Sequence, residues 1–171
     1  MSVLTGRDGQ ISVVRVGTIV AVIGVLLVVA AAVAFYLDQT SRQVPLDIAP
    51  FPSAESLGVP DPVGTSRNLY YVVPGVPPED VVAHYQRIME SQYGDTGERC
   101  KRFPDEINNY PQSDQRNDVV PFEYICLFDR SGFFATQFTK VTIQPGLFHQ
   151  DPAANQQGNT LVEHQQIWEA S

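Results

Sequence analysis

From Val16 to Leu37 the chain runs for 22 residues without a charge and almost without a polar side chain. At about 1.5 Å per residue, a helix of that length covers roughly 33 Å, enough to cross a hydrocarbon core of about 30 Å. This feature constrains the chain before any other, because a single segment in lipid must be helical to satisfy its own backbone groups. Apart from Tyr36, Thr18 is the one polar residue of the run, and its hydroxyl can bond back to a helix carbonyl. Phe35 and Tyr36 close the run, where amphipathic rings favour the headgroup boundary.

Arg7 and Arg15 precede the run against Asp8 alone, and only Arg42 lies within a comparable distance after it. Basic residues stay on the cytoplasmic side. The expectation is therefore a single-pass plasma-membrane protein with its N-terminus inside and the remainder extracytoplasmic. The competing reading is a cleaved signal peptide, for which Ala32-Val33-Ala34 has the small-x-small form. The run exceeds the usual signal core of about 7–15 residues, which favours a retained anchor. Gly17, Ala21, Gly24, Val28 and Ala31 share one helix face. Such a face lets a second membrane helix approach closely, although small residues are also common in membrane helices generally.

The expected organisation is a short cytoplasmic tail over 1–15, a transmembrane helix over 16–37, a linker over 38–66 and an extracytoplasmic domain over 67–171. Pro45, Pro50, Pro52, Pro60 and Pro62 punctuate the linker. Proline removes donors and biases its neighbours towards extended geometry, so the expectation is a stiff spacer. Ile48, Phe51 and Leu57 are apolar enough to pack instead on the domain or on a partner. Residues 38–171 hold nine Lys and Arg against 18 Asp and Glu. That balance repels phosphate backbones and argues against nucleic acid and against a polybasic lipid patch.

The domain opens with a β-rich run, Asn68 to Val73, ended by Pro74-Gly75. A helix should follow. Pro78 suits its first position, Glu79 and Asp80 suit its dipole, and Val81, Tyr85, Ile88, Met89 and Gln92 recur at helical spacing before Gly94. Four strands are expected after it: 99–103, 122–129, 133–144 and 159–169. The spacing places a tight hairpin turn at Asp129-Arg-Ser-Gly132, and it leaves the strand 122–129 apolar enough at its centre to be covered on both sides. On the last strand, Leu161 and Ile167 take one parity and Val162 and Trp168 the other. The order β-α-β-β-β-β gives an α+β domain, with one amphipathic helix on a mainly antiparallel sheet.

Cys100 and Cys126 fall in neighbouring strand candidates. Outside the cytoplasm they are expected to form a disulfide, whose loop closure contributes about 3–4 kcal/mol, against the alternative of two buried thiols. The spacing fits no zinc ribbon, redox pair or haem site.

No catalytic, cofactor or metal motif emerges. His84 lies in the helix and is expected to be exposed. His149 and Asp151 share a loop, whereas Glu163 and His164 are sequential in a strand and must point to opposite faces. The loop carboxylates Asp105, Glu106, Asp114 and Asp118 could serve a hydrolase, but read more simply as solvated charge. The aromatic residues are more informative. Tyr70, Tyr71, Tyr110, Tyr124, Phe133, Phe134, Phe148 and Trp168 exceed what one face of a small sheet needs. Adjacent pairs place one ring on each face, which makes Tyr70, Tyr71, Tyr110, Phe133, Phe134, Phe148 and Trp168 a candidate binding surface.

The expected function is a non-enzymatic, membrane-anchored accessory or assembly subunit of a membrane protein complex, with other membrane subunits as partners. The alternative is an extracytoplasmic module that binds an envelope glycan or lipid, with rings on sugar faces and amides on hydroxyls.

Overall fold

A computed structural model describes residues 13–58, 64–93, 100–104, 120–132 and 135–169. The chain divides into two compact units, Met1–Ser41 and Arg42–Ser171.

The first unit holds α1, Val13–Ser41, a helix of 29 residues and about 43 Å. It is long and apolar enough to cross a membrane, as a membrane anchor or a signal sequence would be. The Thr18 hydroxyl donates to the Val14 carbonyl at 2.9 Å, as its position in an apolar helix requires. At the other end, Thr40 donates to the carbonyls of Tyr36 and Leu37, and Ser41 to that of Asp38. These are back-bonds to carbonyls one turn earlier, as short hydroxyl side chains make in a helix.

The second unit is α+β. Its elements are β1 (Glu55–Ser56), β2 (Ser66–Val73), α2 (Pro78–Tyr93), β3 (Lys101–Phe103), β4 (Glu123–Asp129), β5 (Gln137–Pro145) and β6 (Thr160–Trp168). The six strands form one sheet in the order β1-β2-β6-β5-β4-β3, and every neighbouring pair is antiparallel. The last strand enters the middle of the sheet, between β2 and β5. Strand β1 is an addition to the expected set. It is a charged, two-residue edge strand, too short to carry a sequence pattern and of the kind that blunts a sheet edge.

Helix α2 covers one face of the sheet. Val81, Tyr85 and Met89, spaced by four, are buried against Cys126, Phe128, Val141, Ile143 and Val162. Cys100 and Cys126 form a disulfide with Cα atoms 4.2 Å apart. The register Lys101↔Ile125 and Arg102↔Tyr124 sets the two cysteines opposite each other, on the face that carries Tyr124 and Phe128. Gln86 of α2 accepts the Cys100 amide at 3.0 Å, which ties the helix to the edge strand.

The proline-rich stretch differs from a free spacer. The compact unit begins at Arg42, and Leu46 and Ile48 are buried in its core with Phe51 packed against them. Residues 44–48 run as a strap over the inner face of β5 and β6. The Thr139 hydroxyl and the Gln166 amide both donate to the Leu46 carbonyl, and the Gln137 amide donates to Val44. Arg67 holds the Asp47 carboxylate at 2.6 Å. A segment rich in proline has few amides to satisfy, so a row of side-chain donors completes it where another strand would leave donors over.

That strap explains the parity of β6. Thr160, Val162, His164 and Gln166 point inward and are buried, while Leu161, Glu163, Gln165 and Ile167 lie half-buried on the other face. The inner face is thus the more polar one, against the usual rule, because strap carbonyls accept its donors.

Two further differences concern β4. Leu127 is exposed, so the strand is covered on one face rather than two. The hairpin also reverses later than Asp129–Gly132. The pairing Asp129↔Phe138 continues through the Arg130 amide on Gln137 and a bridge between Gly132 and Ala135. The Asp129 carboxylate accepts the Ser131 amide, a local turn within this longer arm.

Candidate functional site

Helix and strap close the inner face of the sheet. Among the described residues nothing covers the outer face, which carries a shallow groove of about 100 Å³ lined by Leu57, Tyr70, Tyr71, Thr142, Gln144, Leu161, Val162 and Glu163. Register builds it. Glu163 of the central strand β6 lies directly between Tyr70 of β2 and Thr142 of β5. Leu161, two residues earlier on the same face, lies between Val72 and Gln144. The Leu57 amide bonds the Tyr70 carbonyl at 2.7 Å, which brings the Leu57 side chain to the rim. Tyr70 is 46% exposed and Leu57 44%. The site therefore has two apolar rim residues, an apolar end at Leu161, and a polar floor of Thr142, Gln144 and one carboxylate.

Tyr70 and Tyr71 split across the sheet as adjacent residues of a strand must. The Tyr71 ring turns inward and packs 5.1 Å from His164. Burial raises its phenol pKa, with Arg67 acting against the rise and Asp47 adding to it. Phe148 is exposed on the loop after β5 and does not line the groove. Trp168 ends β6 half-buried, paired with Gln137. The Tyr124 hydroxyl donates to Glu79 at 3.3 Å, and the Tyr124 ring meets Phe122, over which Arg102 lies. Tyr110, Phe133 and Phe134 lie outside the described residues. So do Asp105, Glu106, Asp114 and Asp118. On α1, Gly17, Ala21, Gly24, Val28 and Ala31 are all exposed, and a methyl group added at Gly17 or Gly24 would meet nothing.

The histidines separate into distinct environments. His164 is fully buried, and its Nε2 lies 2.8 Å from the Tyr85 hydroxyl. Its Nδ1 has no partner. Burial pushes its pKa down to about 4, opposed by Asp47, and burial raises that of the Tyr85 hydroxyl. Both groups are sealed beneath α2 and the strap. His84 is half-buried instead of exposed. Its ring packs edge-on against Phe51 at 5.2 Å, and burial with the Arg87 charge lowers its pKa. The His149 Nδ1 accepts the Asp151 amide, and the Asp151 carboxylate accepts the Ala153 amide, both within one loop. Among the described residues, no three His, Cys, Asp or Glu side chains come together as a metal site would need.

The outer groove was the part missed by sequence reasoning. Its signal was the odd parity of β6, where Leu161 and Glu163 alternate with His164 and Val162, but only pairing with Tyr70 and Thr142 makes a site of it. Comparison with known proteins finds no matching family model, no matching curated protein and no matching solved structure.

Proposed function

We propose that this chain is a non-enzymatic, membrane-anchored accessory or assembly subunit of a membrane protein complex, held by its N-terminal helix and binding other membrane subunits through an extracytoplasmic domain. The observation that carries this reading is the asymmetry of the sheet. One face is closed by α2 and the strap, while the other leaves Tyr70 and Leu57 exposed around a groove. Exposed apolar groups ringed by polar ones are what a partner covers. The disulfide supports an oxidising compartment for the domain, and the arginines before the apolar run support an inside N-terminus at the plasma membrane. The small-residue face from Gly17 to Ala31 offers a second contact, within the membrane.

The test is a photo-cross-linker at position 70 in native membranes, with sizing of the solubilised chain. A discrete adduct with one membrane protein and a matching co-purified complex are expected. A lone monomer without adducts would refute the reading. The alternative, an envelope glycan- or lipid-binding module, draws on the Tyr70 ring beside Thr142 and Gln144. A glycan array and lipid-vesicle binding separate it from the first.

A further inference from the structure

The outer groove contains a charge that the fold itself does not use. Glu163 sits half-buried on the central strand, flanked in register by Tyr70 and Thr142. Among the described residues its carboxylate makes no hydrogen bond or ion pair. Lys140, diagonal to it on the same face across β5, does not pair with it either. While the groove is open, water solvates the carboxylate. A partner that seals the groove removes that water, and burying an unpaired carboxylate costs several kcal/mol. If this face is an interface, as the proposed function holds, a covering surface that brings a positive charge to Glu163 offsets that cost best.

We infer that the groove receives an arginine side chain of the partner protein. The inference rests on the subunit reading and specifies its chemistry. The volume of about 100 Å³ falls well below the roughly 300–1,000 Å³ of small-molecule sites and suits a single side chain. Leu57 and Leu161 would flank the methylene stem. A planar guanidinium can lie on the Tyr70 ring and still bond a carboxylate in bidentate fashion, which an ammonium cannot. The Thr142 hydroxyl and the Gln144 carbonyl oxygen are further acceptors for its remaining N–H groups. Residues 38–171 carry twice as many acidic as basic side chains, which attracts a basic surface. The same surplus disfavours a zwitterionic lipid headgroup, whose cation comes with a phosphate.

The test uses the full chain in a sugar-free, uncharged detergent, with its leucine methyl groups ¹³C-labelled for NMR. N-acetyl-arginine amide is titrated against N-acetyl-citrulline amide, which keeps the shape and lacks the charge. Phosphocholine and N-acetylglucosamine serve as the other arms. Arginine amide is expected to give saturable shifts at Leu57 and Leu161, at least about tenfold weaker for citrulline amide and for E163Q. Y70A should weaken binding as well and provides a second variant if E163Q fails to fold. Equal binding of citrulline amide, or tighter binding of phosphocholine or N-acetylglucosamine, overturns the assignment. If no probe shifts these methyl groups while the chain still co-purifies with a membrane partner, the groove assignment falls and the subunit reading stands. If the chain is also a lone monomer, both fall.

Discussion

Acidification should destabilise the domain most through His164, the more strongly shifted of two histidines whose pKa the fold lowers. Its ring is buried between Tyr85 and Tyr71, and its pKa is lowered from 6.5 to about 4. In the unfolded chain the imidazole takes up a proton near pH 6.5, whereas in the folded domain it resists until about pH 4. Between those values the unfolded state binds more protons, so stability rises with pH and is lost as pH falls. The contribution is fully present above pH 6.5 and gone below about pH 4. At about 1.4 kcal/mol per pH unit, that window corresponds to a loss of about 3 kcal/mol. Urea unfolding of the oxidised chain from pH 7.5 to pH 4, beside His164→Gln, isolates the effect. Carboxylates and the other histidines titrate in both proteins, so their contributions cancel in the difference. The wild-type curve should fall more steeply than the variant by the stated amount. Parallel curves, or an imidazole resonance of His164 titrating near 6.5, would refute the reasoning.

Other consequences are open to direct measurement. Replacing Cys100 and Cys126 by serine should lower unfolding free energy by about 3.5 kcal/mol, from closing a loop with a sequence separation of 26; a loss below 1 kcal/mol would show that the loop is already constrained when reduced. Ile48→Ala should cost about 2–4 kcal/mol in chemical denaturation, as for a core residue, whereas a spacer residue would show almost no change. Gly146→Ala should destabilise by about 2 kcal/mol or more, because an added Cβ collides with the Gln156 carbonyl; a neutral thermal midpoint would contradict this packing. Tyr85→Phe removes the hydroxyl that bonds the His164 ring and should cost about 1–3 kcal/mol at pH 7.5, read by the same urea series.

Local chemistry made some elements legible. The apolar run could be read as a helix because nothing in it offers an alternative partner for the backbone. Helix α2 declared itself through Pro78, the acidic first turn, and Val81, Tyr85 and Met89 at intervals of four. The cysteine pair was readable because neighbouring strands were. The strap was not, because proline-rich sequence carries no periodicity and its stability comes from Gln137, Thr139 and Gln166, which lie about a hundred positions further on. For the same reason nothing in β6 itself marks Gln166 as a buried donor. Alternation set Leu161 and Val162 on opposite faces of β6 without telling which face is the core, and it is Val162 that is buried. The groove was illegible because Glu163 acquires its meaning from Tyr70 and Thr142, and strand register is not written in any one segment.

The strap also imposes an order on assembly. Leu46 is made before its partners, because its carbonyl accepts from Thr139 and Gln166, at sequence separations of 93 and 120. The segment next to the apolar helix therefore leaves the ribosome well before β5 and β6 and can dock only after they have paired. Until the last strand is in place, Leu46 and Ile48 stay uncovered. Any factor that attends the newborn chain would meet that apolar, proline-rich stretch before it meets a domain.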